Sequence, residues 1–384
     1  MGRRISVVVV DDSALVRSLL SEIINRQSDM QCVGTAADPY AAREVIRSLN
    51  PDVLTLGVEM PRMDGIEFLS RLMRLRPMPV VMVSTLTERG ADVTLRALEL
   101  GAVDFVAKPH AGLADGLQQL SEEITEKIRT AASARLLRTW TAAPPAPMKV
   151  SAAAAVPRAV SAPTVTTAAS LLDRVIFIGA STGGTEATRE VLAGLPAHAP
   201  PVLITQHMPA GYTANYARRL DSQLALTVKE AEHQEPLQAG HAYVAPGGRH
   251  LAIGRRGSQF VALLSDGDPV NRHRPSVEVL FESAARVVGA KALGVMLTGM
   301  GGDGAAAMQL MREAGAYNVA QDEASCVVFG MPREAIRHGG VHRVLPLQEI
   351  AAHLCEFMQL PVAAAGTSTA DPTGNPSPAR WAEP

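Results

Sequence analysis

The sequence predicts two parallel-sheet α/β domains in tandem, each doubly wound. Three observations carry that prediction. Short apolar runs recur along the chain, each closed by a small polar or glycine-rich turn, as buried parallel strands are. Amphipathic helical stretches alternate with most of them. A segment from Thr139 to Ser170, mostly Ala, Pro, Thr, Ser and Val, divides the pattern in two and reads as a linker. At 384 residues the chain is also long for a single domain.

In the first half, Val7–Val10 is a fully apolar strand that stops at Asp11-Asp12. Leu15, Leu19 and Ile23, with Val16, Leu20 and Ile24, repeat at i+4 and give one helical face. Further strands follow at Gln31–Ala36, at Asp52–Leu56 after Asn50-Pro51, at the valine-rich Pro79–Ser84, and at Ala102–Ala107, which stops at Lys108-Pro109. Leu113, Leu117, Leu120, Ile124 and Ile128 mark a last amphipathic helix. These units place a first domain at 1–130 and the linker at 131–170. The second domain, 171–360, has strands near 174–179, 201–206, 242–245, 259–264, 293–298 and 316–320, with helical patterns such as Ser276–Val288 between them. The tail 361–384 is Ala, Thr, Ser, Pro and Gly and is expected to be disordered.

Composition excludes several classes. A hydrophobic content of 47% and a charged content of 19% suit globular domains with sizeable cores. A formal net charge of −2 offers no nucleic-acid surface. Cys32, Cys326 and Cys355 are far apart with no C-x-x-C spacing, which argues against a disulfide framework or zinc site and fits a reducing cytoplasm. No apolar run approaches the roughly 18 residues of a membrane span, so membrane insertion is not expected.

Asp11, Asp12, Ser84 and Lys108 end strands one, four and five, and strand ends of a parallel sheet share one edge. Paired carboxylates bind a hard divalent cation, a hydroxyl holds a phosphoryl oxygen, and a lysine neutralises it. Taken singly, Asp-Asp after a strand also reads as a helix N-cap, and Lys-Pro as a loop. As a set, over residues 5–128, they resemble the receiver domain of two-component response regulators. That resemblance implies a flavodoxin-like (βα)5 fold and an aromatic switch residue at Phe105. It also implies a magnesium site using Asp12 and the backbone carbonyl of Glu59, and a histidine kinase as partner. One position departs from the family. Receivers end strand three in a phosphoacceptor aspartate, and the matching residue in Leu54-Thr55-Leu56-Gly57-Val58-Glu59 is Gly57. Glycine has no carboxylate, so phosphotransfer from the kinase is expected to fail and magnesium to bind weakly. Asp52 lies five residues earlier, about 16 Å along an extended strand, and cannot substitute.

In the second domain, Val175-Ile176-Phe177-Ile178 runs into Gly179-Ala180-Ser181-Thr182-Gly183-Gly184, a small-residue turn whose hydroxyl at Ser181 faces a helix start. Such a turn serves equally as a nucleophile with free backbone N–H groups for an oxyanion, or as an anion cradle. His207 directly follows a strand, and taken alone it reads as a surface or capping residue. Asp303 sits in a glycine-rich turn and reads also as an N-cap. All three end strands, so Ser181, His207 and Asp303 can meet as nucleophile, base and orienter. A nucleotide-binding module is the competing reading. It is disfavoured because no Lys follows the Ser181 turn and no acidic residue stands where a ribose contact would be.

Gly-Ala-Ser-Thr-Gly-Gly, Gln206-His207-Met208-Pro209, Ala245-Pro246-Gly247-Gly248 and Thr298-Gly299-Met300-Gly301-Gly302-Asp303-Gly304 together resemble the CheB chemotaxis methylesterase family over residues 174–358. The receiver-linker-esterase order matches too. The resemblance implies a catalytic triad of Ser181, His207 and Asp303. Its oxyanion donors would be backbone N–H groups near Thr182 and Met300. It implies methylated chemoreceptors as substrates, glutamine deamidation as a second activity, and no cofactor for the ester chemistry. It further implies that an unphosphorylated receiver docks over the active-site edge and restrains the esterase. Arg272, His273 and Arg274 are expected either as a basic rim toward acidic receptor helices or as a solvated helix start.

Overall fold

The computed structural model describes residues 3–60, 63–84, 88–108, 114–135 and 173–360, with backbone alone for 88–89 and 114–120. The linker expected at Thr139–Ser170, the tail at 361–384 and the helical Leu113 lie outside the described residues. Among the described residues no helix is long and apolar enough to cross a membrane.

The first domain alternates β1 (Ile5–Val10), α1 (Ala14–Asn25), β2 (Met30–Ala36), α2 (Pro39–Leu49), β3 (Val53–Gly57), α3 (Gly65–Leu75), β4 (Val80–Ser84), α4 (Glu88–Glu99), β5 (Asp104–Ala107) and α5 (Ala114–Ser133). The strands form one sheet in the order β2-β1-β3-β4-β5, with every pair parallel. Side chains on a strand point alternately to the two faces, so an all-valine strand feeds two cores. Val8 and Val10 join Leu54 and Leu56 under Ile46 of α2 and Phe68 and Leu69 of α3. Val7, Val9 and Val53 face Leu20, Ile23 and Ile24 of α1 and Ile124 and Ile128 of α5. Ser13, Asp38 and Asp64 cap α1, α2 and α3 through their side-chain oxygens. Helix α5 continues to Ser133, past the boundary expected at 130.

The second domain runs β6 (Val175–Ala180), α6 (Gly184–Ala193), β7 (Val202–Gln206), α7 (Thr213–Gln223), β8 (Thr227–Glu230), β9 (His241–Val244), β10 (His250–Arg256), β11 (Gln259–Ser265), α8 (Val277–Val287), β12 (Ala292–Met296), α9 (Ala305–Glu313), β13 (Tyr317–Gln321), α10 (Met331–Arg337), β14 (Arg343–Leu345) and α11 (Leu347–Met358). Seven strands make a parallel sheet in the order β14-β13-β12-β6-β7-β9-β8. Ile176 and Ile178 pack with α6, α7 and α11, while Val175 and Phe177 pack with α8, α9 and α10. The chain leaves β6 toward β7 and later returns to its other side at β12, so a crevice opens at the carboxyl ends of β6 and β12.

Three strands escape the sequence pattern. β8 and β14 are short edge strands with charged residues, and β10 is broken in its apolar run by Gly254 and ends in two arginines. The run at 259–264 is not part of the main sheet. It pairs antiparallel with β10 around Gly257, whose φ of +63° suits a hairpin turn.

The two domains pack together. Helix α4 lies against α6 and α7, with Glu99 ion-paired to Arg219. Arg135 pairs with Glu323 at 2.8 Å, and its N–H donates to the Val327 carbonyl at 3.0 Å. Tyr212, only 1% exposed, sets its ring 4.6 Å from that of Phe105 and hydrogen-bonds with the side chains of Ser84 and Thr94. Among the described residues it is one of the largest fully buried side chains. Truncating a buried aromatic costs about 3–5 kcal/mol where it is fully packed. Tyr212→Ala should therefore loosen the docked pair, seen as a larger radius of gyration by small-angle scattering and faster cleavage between the domains. Each domain should keep its own circular dichroism.

Candidate active site

Strand register decides what meets in the crevice. Ala180 of β6 pairs with Gln206 of β7, so Ser181 and His207 leave neighbouring strands side by side, about 4.8 Å apart along the sheet. On the other flank Ser181 N–H donates to the Thr298 carbonyl at 3.0 Å, which brings the loop after β12 to the same edge. Gly299 permits that approach: a Cβ there would lie 2.8 Å from the Ser181 Cβ and 2.4 Å from the Met331 sulfur. Gly183, at φ +78°, turns the chain from Ser181 into α6.

The His207 ring donates through Nε2 to Asp303 Oδ2 at 2.8 Å. A carboxylate only accepts, so the proton is on Nε2 and the lone pair is on Nδ1. Nδ1 is buried and has no hydrogen-bond partner, so no hydrogen bond joins it to the Ser181 hydroxyl. Such links commonly tighten only when substrate is bound. Asp303 is 2% exposed, yet its charge is well held. Oδ1 accepts from Asn271 Nδ2 at 2.9 Å and Ser276 Oγ at 2.7 Å, and Oδ2 accepts from the Val277 N–H at 2.7 Å. The last two donors open helix α8, whose amino end favours an anion. Burial alone would raise the Asp303 carboxyl. The hydrogen bond and charge of His207, with Asn271 and Ser276, outweigh it and hold the group down at about 2.

Of the two readings of Arg272, His273 and Arg274, the solvated one fits the exposed arginines, and His273 departs from both. Arg274 turns away, with Nη1 donating to the Asp266 and Gly267 carbonyls. Arg272 is exposed at φ +69°. His273 instead points inward and stacks on His207, ring centroids 3.7 Å apart and planes within 12°. Burial first, then the nearby His207, push His273 down to about 4.

Thr182 and Met300, the two positions expected to serve an oxyanion, both touch the first domain. The Thr182 hydroxyl donates to Asp104 Oδ2 at 2.5 Å, and Thr130 of α5 donates to the Met300 sulfur. Asp104 is in turn paired with Lys127 at 3.1 Å, which also meets Glu123 at 3.0 Å. Burial works against the Lys127 charge, but these two carboxylates raise its pKa nonetheless.

Comparison with known proteins settles the family. Residues 176–354 match the CheB methylesterase family and residues 7–119 the response regulator receiver domain. A protein-glutamate methylesterase/protein-glutamine glutaminase 1 of Albidiferax ferrireducens is 61% identical over 352 residues, 92% of this chain and 93% of that one. The protein of that name numbered 2 in Cupriavidus pinatubonensis is 57% identical over 358 residues, covering 92% and 97%, and one from Ralstonia nicotianae is 58% identical over 365 residues, covering 92% and 96%. The chain belongs to the CheB methylesterase family.

In this CheB-family chain the receiver residues gather at one sheet edge, as their strand ends required. Asp11 is buried, accepts from the Ser13 N–H at 3.0 Å, and forms an ion pair with Lys108 Nζ at 2.8 Å that is not aligned as a hydrogen bond. Gly57 closes β3 beside it, and a Cβ on Gly57 would lie 2.6 Å from Asp11 Oδ2. Asp12 and Glu59 are exposed. Arg17 Nη1 donates to the backbone carbonyls of Asp11 at 2.7 Å and Asp12 at 2.9 Å, which sets a fixed cation at the pocket. Among the described residues no group of three or more His, Cys, Asp or Glu could hold a metal. The residues present thus do not fit a tight magnesium site, since Asp11 is committed to Lys108 and position 57 has no donor. Asp52 is at the opposite strand end, bound to Ser6 and Arg3. Ser84 and Phe105 both reach Tyr212 of the esterase domain.

Sequence reasoning missed Tyr212, Asn271, Ser276 and the inward turn of His273. Of these Ser276 carried a local signal, as the serine that opens the helical run Ser276–Val288.

Two tests follow from this geometry. Gly57→Asp would set a second carboxylate beside buried Asp11; two such charges about 5 Å apart at an effective dielectric near 20 repel by about 3 kcal/mol. The variant should melt at a lower temperature in metal-free buffer, and added Mg²⁺ should recover part of the loss. His273, half-buried and neutral, has its folded pKa pushed down to about 4 from an ordinary 6.5. Its contribution is therefore whole above pH 6.5 and is lost as pH falls toward 4. Thermal melts at pH 7 and 4.5 should show a smaller acid loss for His273→Phe than for the parent chain.

Proposed function

We propose that this chain hydrolyses glutamate γ-methyl esters on chemoreceptors, releasing methanol, and deamidates receptor glutamines to glutamate. The observation that carries the proposal is the buried His207–Asp303 pair, placed by strand register beside Ser181 in a chain 61% identical to a protein of that named activity. Ser181 Oγ attacks the ester carbonyl as its proton passes to His207 Nδ1, the nitrogen left open by Asp303. Backbone N–H groups at Thr182 and Met300 receive the oxyanion. The tetrahedral species collapses, Nδ1–H protonates the departing methoxide, and methanol leaves. Water then gives its proton to Nδ1 and attacks the acyl-enzyme, Nδ1–H returns that proton to Ser181 Oγ as the serine leaves, and the glutamic acid ionises to its carboxylate on release. A glutamine amide loses ammonia by the same steps. Asp303 stays ionised throughout and balances the imidazolium. The chemistry uses no cofactor.

In this reading residues 1–130 are the receiver, 131–170 the linker, 171–360 the esterase and 361–384 a tail. The protein is cytoplasmic, meets methylated chemoreceptors and the chemotaxis kinase, and neither binds nucleic acid nor enters the membrane. Gly57 stands at the phosphoacceptor position, so the kinase cannot write its signal and magnesium binds weakly at best. The enzyme stays restrained. What supports restraint over constitutive activity is that Asp104 and Thr130 hold the side chains of Thr182 and Met300, the two residues assigned to the oxyanion.

Methanol release from methylated receptor membranes tests this. Ser181→Ala, His207→Ala and Asp303→Ala should each cut turnover by at least about 10³-fold, with double variants little worse than the worst single one, because the residues act as a unit. Near-normal turnover in Ser181→Ala would remove it as nucleophile. A phosphodonor should leave the full chain unchanged, while deleting residues 1–150 should raise its activity. Equal turnover with and without the receiver would mean that the restraint is already gone.

A further inference from the structure

We propose that Gln206 is a positioning residue of this hydrolase: its side-chain amide holds the Ser181–Thr182 peptide so that the Thr182 N–H stays turned toward the oxyanion. This role rests on the hydrolase reading above, and Gln206 fills it only through the backbone. Gln206 ends β7, pairs with Ala180 of β6, and is 3% exposed. Its Nε2 donates to the Ser181 carbonyl at 2.9 Å and lies 3.4 Å from the His207 carbonyl. Both neighbours only accept, so the amide nitrogen and not the oxygen faces them. The same Ser181 carbonyl accepts from the Gly184 N–H at 2.7 Å.

A trans peptide is planar, with its C=O and N–H pointing in opposite directions. Whatever holds the Ser181 carbonyl therefore aims the Thr182 N–H. Among the described residues that N–H has no hydrogen-bond acceptor, although Thr182 is only 6% exposed. Backbone donors left unpaired in such surroundings are rare, and this one is open to a ligand. The next peptide is braced as well. Thr298 Oγ1 donates to the Thr182 carbonyl at 3.0 Å, and Gly183, at φ +78° and ψ −4°, takes the third position of a type II turn. The Gly184 bond alone would leave the Ser181–Thr182 plane free to tilt about one contact. Gln206 adds the second contact, from the neighbouring strand.

Gln206 holds this place at a cost to stability. Its Oε1 is buried with no partner, and a Cβ on Gly184, the first residue of α6, would collide with that oxygen. Space there would be filled more stably by an apolar side chain of similar volume. The orphan oxygen comes with the donor that the turn uses.

The experiment compares the full chain with Gln206→Met, which keeps the length of the side chain and removes the donor. Losing an oxyanion donor outright costs about 10²–10³-fold in kcat, and tilting one costs less. Gln206→Met should therefore lower kcat for methanol release by about 10–100-fold with KM within about twofold. Its melting temperature should fall by no more than about 3 °C, because the orphan oxygen goes too. The one-bond N–H dipolar coupling of Thr182, read in partially aligned protein with isotope-labelled threonine, should change while threonines elsewhere keep theirs. Parent-like kcat overturns the proposal, as does a rise in KM in place of the kcat loss. A kcat loss with the Thr182 coupling unchanged, or with a large drop in melting temperature, overturns it too. If Gln206→Met does not fold, Gln206→Asn, whose amide is one methylene short of the carbonyl, is judged by the same criteria. If the parent chain itself releases no methanol, the hydrolase reading fails, and the Thr182 coupling alone decides whether Gln206 sets the peptide.

Discussion

The buried carboxylate of Asp303 is the constraint on which the candidate active site depends. An unpaired charge in that position would cost several kcal/mol, so the surrounding chain must deliver donors to it. It does so from three separate segments: the Val270–His273 turn through Asn271, the amino end of α8 through Ser276 and Val277, and the end of β7 through His207. Glu278 answers in the other direction, accepting from the Gly304 N–H at 2.9 Å, so that the helix start and the glycine-rich turn hold one another. Once these bonds are made, the tautomer of His207 follows, and with it the nitrogen that can act as base.

That arrangement reverses the ring orientation of the best-known serine hydrolases, in which the carboxylate takes Nδ1 and the hydroxyl faces Nε2. The proposed chemistry would be unchanged, because either nitrogen can carry the transferred proton when the other is anchored. The change is in reach. Nδ1 is nearer the backbone than Nε2, so a partner for it must come from the neighbouring strand; β6 and β7 are adjacent and in register at Ala180 and Gln206, which brings Ser181, the proposed nucleophile, there.

Several of the residues through which the receiver touches this edge lie within about five positions of Ser181, His207 or Asp303. Thr182 follows Ser181 and bonds Asp104; Met300 lies three residues before Asp303 and meets Thr130; Tyr212 ends the short loop from His207 and reaches Ser84 and Phe105. Tyr212 thus touches the receiver pocket directly, at Ser84 and at Phe105. In this chain the pocket is internally neutralised by Asp11–Lys108 and Arg17, with no side chain at Gly57 to compete for the space.

Much of this was legible from the chain alone. Runs such as Val7–Val10 and Val175–Ile178 are apolar at every position, and only a strand buried on both faces needs that; the parallel sheets, and the strand ends bearing Asp11, Lys108, Ser181 and His207, follow. Resemblance added the pairing of His207 with Asp303, 96 residues apart. The short edge strands β8 and β14 were hidden because half-exposed, charged segments carry little hydrophobic period. The tertiary structure alone decided which nitrogen of His207 is open, that His273 turns inward while Arg272 and Arg274 do not, and that Tyr212 fills the space between the domains. Periodicity and motif spacing are local and survive in the sequence. A ring stack, a donor set or an interdomain plug joins loops from non-consecutive strands, and its partners are chosen only when the sheet order brings those loops to one edge.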